Sequence, residues 1–168
     1  MPTLLLFVLD ELRFALPVEQ VRETVRAVAI TPLAGAPGVI EGIIDVRGTV
    51  TPVLDMRARF RLPGREVTVN DHLILATAGG RQVALRVDRV LDIQSLAAST
   101  LSTASVSEPA FAHLSGVARL PDGMVLIGDL EAFLSQGESE ALAAALVAPA
   151  ARAALADSDG DTRPSRAD

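Results

Sequence analysis

The side chains that could carry chemistry in this 168-residue chain are few and widely separated. Its two histidines, His72 and His113, are too far apart in sequence and too poorly accompanied to indicate a metal site, and the chain has no cysteine. The C-terminal segment DSDGD resembles the opening of a calcium loop, but Thr162 stands where such a loop requires glycine and Pro164 lies inside it. We therefore expect no metal site and no cofactor.

Catalytic groups are equally hard to assemble from this sequence. No serine stands in a G-x-S-x-G setting, no glycine-rich phosphate loop is present, and no nucleophile has a recognisable base. An aspartic protease built from two halves would need an Asp-Thr/Ser-Gly triplet in each half, and both triplets are missing. We expect no catalytic residues and no enzymatic activity, and keep a small β-barrel hydrolase only as a remote alternative.

One cation is notable for its position. In GIIDVRGTVTPVLDMR, residues 42–57, Arg47-Gly48 separates two apolar runs that have the pattern of paired strands. Glycine suits a tight turn because it accepts a positive φ, whereas a long cation adds nothing to the turn itself. Two interpretations remain open: Arg47 is a solvated surface residue, or it stands at the hairpin tip to meet an acidic group.

Short runs of Val, Ile and Leu, separated by turn signals, must position these residues. They are LLLFVL-DE-LRFALPV, GIIDV-RG-TVTPVLDM, HLILATA-GG-RQVALRV and GVARL-PDG-MVLIGDL. This pattern predicts an all-β fold made of hairpins. Alternation is weak in several runs, which predicts strands that curl into small barrels and are covered on both faces.

Two parts of the chain resemble each other. At an offset of 69 residues the aligned pairs are Leu4 with Leu73, Asp10 with Gly79, Leu16 with Leu85, Val18 with Val87, and Val21 with Val90. At an offset of 74 they are Gly42 with Gly116, Ile43 with Val117, Val53 with Ile127, Asp55 with Asp129, and Phe60 with Leu134. We infer an internal duplication with halves at about residues 3–65 and 72–134. The turn that matches Arg47-Gly48 is then Pro121-Asp122-Gly123, which has a glycine but no arginine.

These halves are expected to form one domain over residues 1–136, with their barrel-forming segments intertwined. Ser135 and Glu138 follow at capping-box spacing, so an alanine-rich helical segment is expected over residues 137–156. The acidic tail, residues 157–168, is polar enough to be disordered.

Composition excludes several classes of partner. The formal net charge is −6, every basic residue is arginine, and five phenylalanines are the only aromatic residues, so nucleic acid is not an expected partner. No apolar run approaches the roughly 18 residues of a membrane span, and no direct membrane insertion is expected. The chain has no cysteine, which fits a cytoplasmic protein.

Residues 39–60, VIEGIIDVRGTVTPVLDMRARF, resemble the signature of the CheW-type chemotaxis coupling proteins. That signature has an apolar-then-glycine entry, an Asn-Leu-Arg-Gly turn and a Pro-Val-x-Asp-Leu-Arg exit. The resemblance extends over about residues 3–135 through VEQVRET at 18–24 and through residues 72–92 and 116–134. The chain departs from the family in having Asp45 where Asn is usual, Val46 where Leu is usual and Thr24 where Ile is usual.

The resemblance implies two five-stranded SH3-like barrels around a shared apolar centre, and an adaptor without catalysis. It implies two partners, the helical hairpin tip of methyl-accepting chemoreceptors and the regulatory domain of a CheA-like histidine kinase, and a location at cytoplasmic or membrane-associated receptor arrays. Glu23 and Arg47 are expected to pair near the surface, with a groove of Val21, Ile43 and Val46 beside them. The implied receptor-binding residues are Val21, Glu23, Ile43, Asp45, Val46, Arg47 and Gly48. A regulator of a non-flagellar pathway, for pili or development, and a CheV-like modulator are the alternatives.

Overall fold

The computed structural model describes residues 3–26, 28–64, 68, 70–78, 80–97, 101–103 and 113–147. Eleven strands and two α-helices lie within these residues. The strands are β1 Thr3–Leu9, β2 Leu12–Pro17, β3 Val21–Arg26, β4 Ile40–Val46, β5 Thr49–Asp55, β6 His72–Ala78, β7 Arg81–Val87, β8 Arg89–Ser95, β9 Leu101–Thr103, β10 Leu114–Leu120 and β11 Gly123–Gly128. The helices are α1 Met56–Arg59 and α2 Gln136–Val147, and 3-10 turns occupy Val18–Gln20 and Leu130–Ala132.

The strands form two sheets, which confirms the all-β prediction. One sheet has five strands in the order β3-β6-β7-β5-β4, and the other has six in the order β8-β1-β2-β11-β10-β9. The sixth strand is the three-residue β9, which pairs with β10 at the sheet edge. We call them the five-stranded barrel and the six-stranded barrel, since each has the small SH3-like form.

Each barrel takes strands from both halves of the chain. The β1–β2 hairpin joins the β10–β11 hairpin through a parallel β2–β11 pair, and the β6–β7 hairpin joins the β4–β5 hairpin through a parallel β5–β7 pair. Strand bounds follow the two offsets: Thr3–Leu9 moved by 69 is His72–Ala78, and Ile40–Val46 moved by 74 is Leu114–Leu120. The repeated halves thus exchange hairpins with each other.

β1 and β6 are buried on both faces, which explains their weak alternation. Leu5 and Phe7 of β1 belong to a central apolar cluster shared by the two barrels, whereas Leu4 and Leu6 face the interior of the six-stranded barrel. β6 repeats the arrangement, because Ile74 joins the shared cluster while Leu73 and Leu75 face the interior of the five-stranded barrel. The described residues therefore form three apolar clusters, and β1 and β6 each lie between two of them.

Helix α2 closes one side of the shared cluster. Its first turn has the predicted capping box, since Glu138 N donates to Ser135 Oγ at 3.1 Å and Ser135 N donates to Glu138 Oε1 at 2.9 Å. Leu142 is fully buried and Leu146 is half-buried against the same cluster. The helix ends at Val147, so the rest of the predicted helical segment, the calcium-like DSDGD and the acidic tail lie outside the described residues.

Candidate functional site

The turn at Arg47-Gly48 is a two-residue hairpin loop with both residues in the left-handed region. Val46 pairs with Thr49 across it, and φ is +49° at Arg47 and +88° at Gly48. Two successive positive φ values match the twist of a hairpin and favour Asn or Gly at the first position. Asp45 supports the turn, because its Oδ1 accepts a hydrogen bond from Gly48 N at 2.8 Å. The turn therefore does not require an arginine at this strained position.

Arg47 pairs with Glu23, as the family resemblance implied. An Nη2 of Arg47 donates to Glu23 Oε2, while the Arg47 side chain stays 71% exposed and that of Glu23 36% exposed. Glu23 lies on β3 and Arg47 beside β4, which are the two ends of the five-stranded sheet order. The ion pair thus bridges the strands where this sheet curls round on itself.

Local backbone features aim both partners. A bulge in β3 between Val21 and Glu23 shifts the register against β6, which turns the strand before the acid. β4 is held by the preceding loop, since Thr31 N donates to Ile43 O at 3.0 Å and Ile43 N donates to Thr31 O at 2.8 Å. A Cβ on Gly42 would lie 2.1 Å from Thr31 O, so only glycine permits this approach.

The remaining predicted residues occupy different depths. Asp45 is exposed, while Val21 and Val46 are half-buried and pack against the shared cluster and the five-stranded interior, respectively. The sequence places Ile43 in a groove facing a partner, but the structure buries it to 1% exposure inside the shared cluster. Ile43 supports β4 from inside, because the inward-facing side of the strand reaches the core before the strand emerges at Asp45.

Val50 is an exposed apolar residue that the sequence reasoning missed. It pairs with Asp45 across the hairpin and is 37% exposed. Its position four residues before the buried Leu54 in TVTPVLD offered only a weak signal, since a strand buried on both faces loses the alternation that marks exposed positions. We call the exposed residues at this turn the hairpin surface: Asp45, part of Val46, Arg47, Gly48, Thr49 and Val50 on the hairpin, together with Glu23 of β3.

The matching turn in the second half has two residues, whereas the sequence alignment indicated the three residues Pro121-Asp122-Gly123. Leu120 pairs with Gly123, so the two-residue loop is Pro121-Asp122 and Gly123 already belongs to β11. The glycine thus falls one position after that of Arg47-Gly48. Neither Pro121 nor Asp122 has a positive φ. Asp122 forms a two-pronged ion pair with Arg13 of β2, at 3.1 and 3.2 Å.

A buried arginine lies in the five-stranded barrel. Arg86 of β7 is 4% exposed and contacts Glu41 of β4, Asp55 at 3.5 Å and Asp71 at 3.2 Å. Burial raises the pKa of the Glu41 carboxyl above its ordinary value of 4.5, although the Arg86 guanidinium opposes the shift. These four groups are spread over 45 residues of sequence, so spacing alone could not bring them together. The cluster ties β4, β5 and β7 together at the end of the β4–β5 hairpin opposite the Arg47 turn.

Within the described ranges, no group of three or more His, Asp or Glu side chains is placed to hold a metal ion. His113 Nδ1 is 2.7 Å from the Ala132 carbonyl oxygen, a hydrogen bond that ties the residue before β10 to the 3-10 turn after β11. In the same ranges, no helix has the length and apolar character needed to cross a membrane.

Comparison with known proteins gives one consistent result. Residues 3–138 match the model of the CheW-like domain. The chain is 32% identical to "Chemotaxis protein CheW" of Rhizobium meliloti over 142 residues, covering 82% of this chain and 90% of that one. It is 30% identical to "Chemotaxis protein CheW" of Klebsiella aerogenes, covering 80% and 82%. "Protein FrzA" of Myxococcus xanthus is 33% identical over 113 residues, covering 66% and 70%.

A solved structure shares the fold. The crystal structure of the scaffolding protein TtCheW from Thermoanaerobacter tengcongensis superposes with a TM-score of 0.76 at 28% identity, covering 82% of this chain and 96% of that one. Fold, motif order and relatives agree over nearly the same residues, with the Arg47 hairpin inside the match. The chain belongs to the CheW-like family of chemotaxis scaffold and adaptor proteins.

Proposed function

We propose that this protein couples methyl-accepting chemoreceptors to a CheA-type histidine kinase, and that the hairpin surface binds the receptor's helical tip. Membership of a scaffold family supports a role in assembly and not in catalysis. With these partners, the protein would be found at cytoplasmic or membrane-associated receptor arrays. The observation that carries the proposal is the Arg47 turn. The free energy gained from its exposed ion pair does not exceed the cost of its strained backbone, so the arginine does not serve stability.

The free-energy terms at Arg47 favour recognition over folding. Holding a non-glycine residue in the left-handed region costs roughly 1 kcal/mol. An exposed ion pair such as Arg47–Glu23 returns about 0.2–1 kcal/mol. The arginine therefore adds no net stability to the hairpin, whereas its largely exposed guanidinium can bond to a carboxylate of a partner.

The shape of the hairpin surface suits a helical partner. Val50 is exposed and Val46 half-buried beside the ion pair, so apolar and charged contacts lie within one hairpin. Helices bind such surfaces by placing an apolar stripe in a groove, with charged groups at its border. Glu23 holds Arg47 in place before binding, which reduces the side-chain entropy lost in the complex.

The test is Arg47→Ala, with Arg119→Ala as the matched control. Arg119 is exposed on β10, the equivalent hairpin of the six-stranded barrel. We expect Arg47→Ala to bind a soluble receptor cytoplasmic fragment at least about tenfold more weakly, with binding to the kinase regulatory domain unchanged. Its thermal midpoint should stay within about 4 °C of the wild type, and Arg119→Ala should bind the receptor normally.

Two results would contradict the assignment. Full receptor binding by a normally folded Arg47→Ala protein would remove Arg47 from the interface. Unfolding of the variant would show that the arginine is structural. Affinity capture from the native cell, followed by identification of the captured proteins, tests the partners themselves.

The output pathway is a separate part of the proposal. The family resemblance leaves a regulator of a non-flagellar pathway as the alternative, and one relative, "Protein FrzA", is not named for chemotaxis. The kinase recovered in the capture experiment distinguishes the two, since it identifies the signalling system in which the adaptor works.

A further inference from the structure

Asp10 is a second non-glycine residue in the left-handed region. It stands in the two-residue turn between β1 and β2 with a φ of +54°. At the offset of 69 residues, the second half of the chain has Gly79 at the matching position, which is the residue type that tolerates such a φ most readily. The first half therefore carries an acid where glycine would be less strained.

The carboxylate of Asp10 contacts a buried arginine. Asp10 Oδ1 is 2.7 Å from Arg57 Nη2, and the second arm of Arg57, Nη1, donates to Asp88 Oδ2 at 2.7 Å. Arg57 Nε donates to the Pro63 carbonyl oxygen at 2.7 Å. The ring of contacts closes where Asp10 N donates to Asp88 Oδ2, also at 2.7 Å. Only 6% of the Arg57 side chain is exposed, whereas Asp88 is 15% and Asp10 42% exposed, so the guanidinium is buried and the Asp10 carboxylate reaches the surface.

Electrostatics agree with a stable charged cluster. Burial alone would lower the pKa of the Arg57 guanidinium, but its hydrogen bonds to Asp10 and Asp88 outweigh burial and raise that pKa. A buried cation with two carboxylates costs desolvation, and removing one partner leaves the rest poorly compensated. The cluster thus constrains the segments that supply its members.

Those segments belong to different barrels. Asp10 connects two strands of the six-stranded barrel, whereas Arg57 lies in α1, directly after β5 of the five-stranded barrel. Asp88 is the single residue between β7 of the five-stranded barrel and β8 of the six-stranded barrel. The cluster is therefore centred on a point where the chain passes from one barrel to the other.

The other crossing of this kind, from β2 to β3, is built differently. It passes through the 3-10 turn Val18–Gln20, where Glu19 matches Asp88 at the offset of 69. Glu19 is exposed and, within the described part of the chain, forms no ion pair or side-chain hydrogen bond. Of the two crossings, and within the residues that the structure describes, the one between β7 and β8 has a buried arginine bonded to Asp88 and to Asp10 of the six-stranded barrel.

We infer that Asp10, Arg57 and Asp88 form a clamp that fixes the angle between the two barrels, and that Asp10 is kept at a strained position for this purpose. The clamp lets one molecule hold receptor and kinase in a fixed relative orientation, a consequence that rests on the proposed function. Asp10 and Arg57 are positioning residues in this scheme and contact neither partner.

The test compares Asp10→Gly with Asp10→Asn and with Glu11→Ala, a control in the same turn. Asp10→Gly loses the carboxylate but also loses the strain, so it should stay folded. We expect amide hydrogen exchange at residues 8–13 and 86–91 to quicken at least about tenfold in Asp10→Gly, because the local opening is no longer opposed by Arg57. Asp10→Asn, which tolerates the same φ and can accept one bond from Arg57, should be intermediate, and Glu11→Ala should match the wild type.

Binding experiments test the clamp and the proposed function separately. We expect Asp10→Gly to bind a receptor fragment alone and a kinase regulatory domain alone as the wild type does, but to form the three-component complex about tenfold less well. Unchanged hydrogen exchange would overturn the clamp itself. Faster exchange with a normal three-component complex would overturn its role in orientation. If the wild type bound neither fragment, the proposed function would fail, while the exchange result would still decide the clamp.

Discussion

The two hairpin turns at residues 45–48 and 119–122 have the same place in the two halves and opposite charge patterns. The first has an acid at Asp45 and a cation at Arg47, whereas the second has a cation at Arg119 and an acid at Asp122. Arg47 stands in a strained conformation and reaches an acid on β3; the loop with Asp122 is unstrained and reaches Arg13 on β2. Both halves therefore use the same kind of hairpin, but the charged residues at the turn differ between them.

The segments that follow the two hairpins differ in a similar way. Asp55 and Asp129 both cap a short helical turn, accepting hydrogen bonds from backbone N–H groups just after them. After the cap, Arg57 in the first half matches Glu131 in the second. The cap explains why both segments turn helical. It does not explain Arg57, whose side chain bonds Asp10 of the six-stranded barrel and Asp88 between the two barrels.

Substitution of two crowded glycines, one in each half but not at matching positions, gives the largest expected effects. A Cβ on Gly42 would meet the backbone oxygen of Thr31 at 2.1 Å, and one on Gly128 would meet the Phe133 ring at 2.7 Å. A side chain can move more readily than a strand-linking backbone, so Gly42→Ala should lower the free energy of unfolding by about 3 kcal/mol and Gly128→Ala by less. Urea denaturation measures both, with Gly38→Ala as the control because nothing lies within 4 Å of its Cβ. Equal losses would contradict the comparison.

Acid should selectively weaken a contact between α1 of the first half and α2, which follows the second half. Arg59 of α1 bonds Glu138 of α2 at 2.8 and 3.1 Å, and this lowers the pKa of Glu138 from 4.5 to about 2. The folded state therefore binds this proton less readily than the unfolded state does. The stabilisation, about 2 kcal/mol, is present above pH 4.5 and is lost as the pH falls towards 2.

Glu138→Gln isolates this acid-sensitive contact. Its stability should depend less on pH between 4.5 and 2 than that of the wild type, as measured by thermal unfolding across this range. Glu140→Gln is the control on the same helix, since Glu140 is exposed. If the stability of Glu138→Gln depended on pH as that of the wild type does, the Arg59–Glu138 pair would not contribute to this dependence.

The smallest effects are expected at the two turns themselves. Arg47→Gly should change the free energy of unfolding by less than about 1 kcal/mol, because relief of strain offsets the lost ion pair. Asp122→Ala should lower stability only slightly, since it loses an exposed pair with no strain to relieve. A loss above about 2 kcal/mol in Arg47→Gly would make Arg47 structural and remove the contrast between the turns.

Much of the fold was predictable because it depends on local patterns. Glycine and acidic turn residues between apolar runs mark the hairpins, and the offsets of 69 and 74 residues predict equivalent strands at residues 3–9 and 72–78. The capping box at Ser135 and Glu138 was equally readable, since it depends on residues three apart. The Arg47–Glu23 pair was predicted through the family resemblance, and its contact is present.

Other features depended on contacts between distant residues. Burial of Ile43, exposure of Val50 and the Arg86 cluster could not be read from spacing, because strands buried on both faces carry no clear alternation and the partners are far apart in sequence. The exact loop at Pro121-Asp122 was also decided by strand register, which set Gly123 opposite Leu120.

The sequence by itself determined the hairpins, their duplication and the family, since turn chemistry, apolar periodicity and motif order act over short distances. Only the tertiary structure decided which barrel each hairpin joins, because the exchange of hairpins between halves depends on long-range pairing. The same pairing brought Asp10 and Asp88 to Arg57, and thereby decided why an acid occupies a turn position suited to glycine.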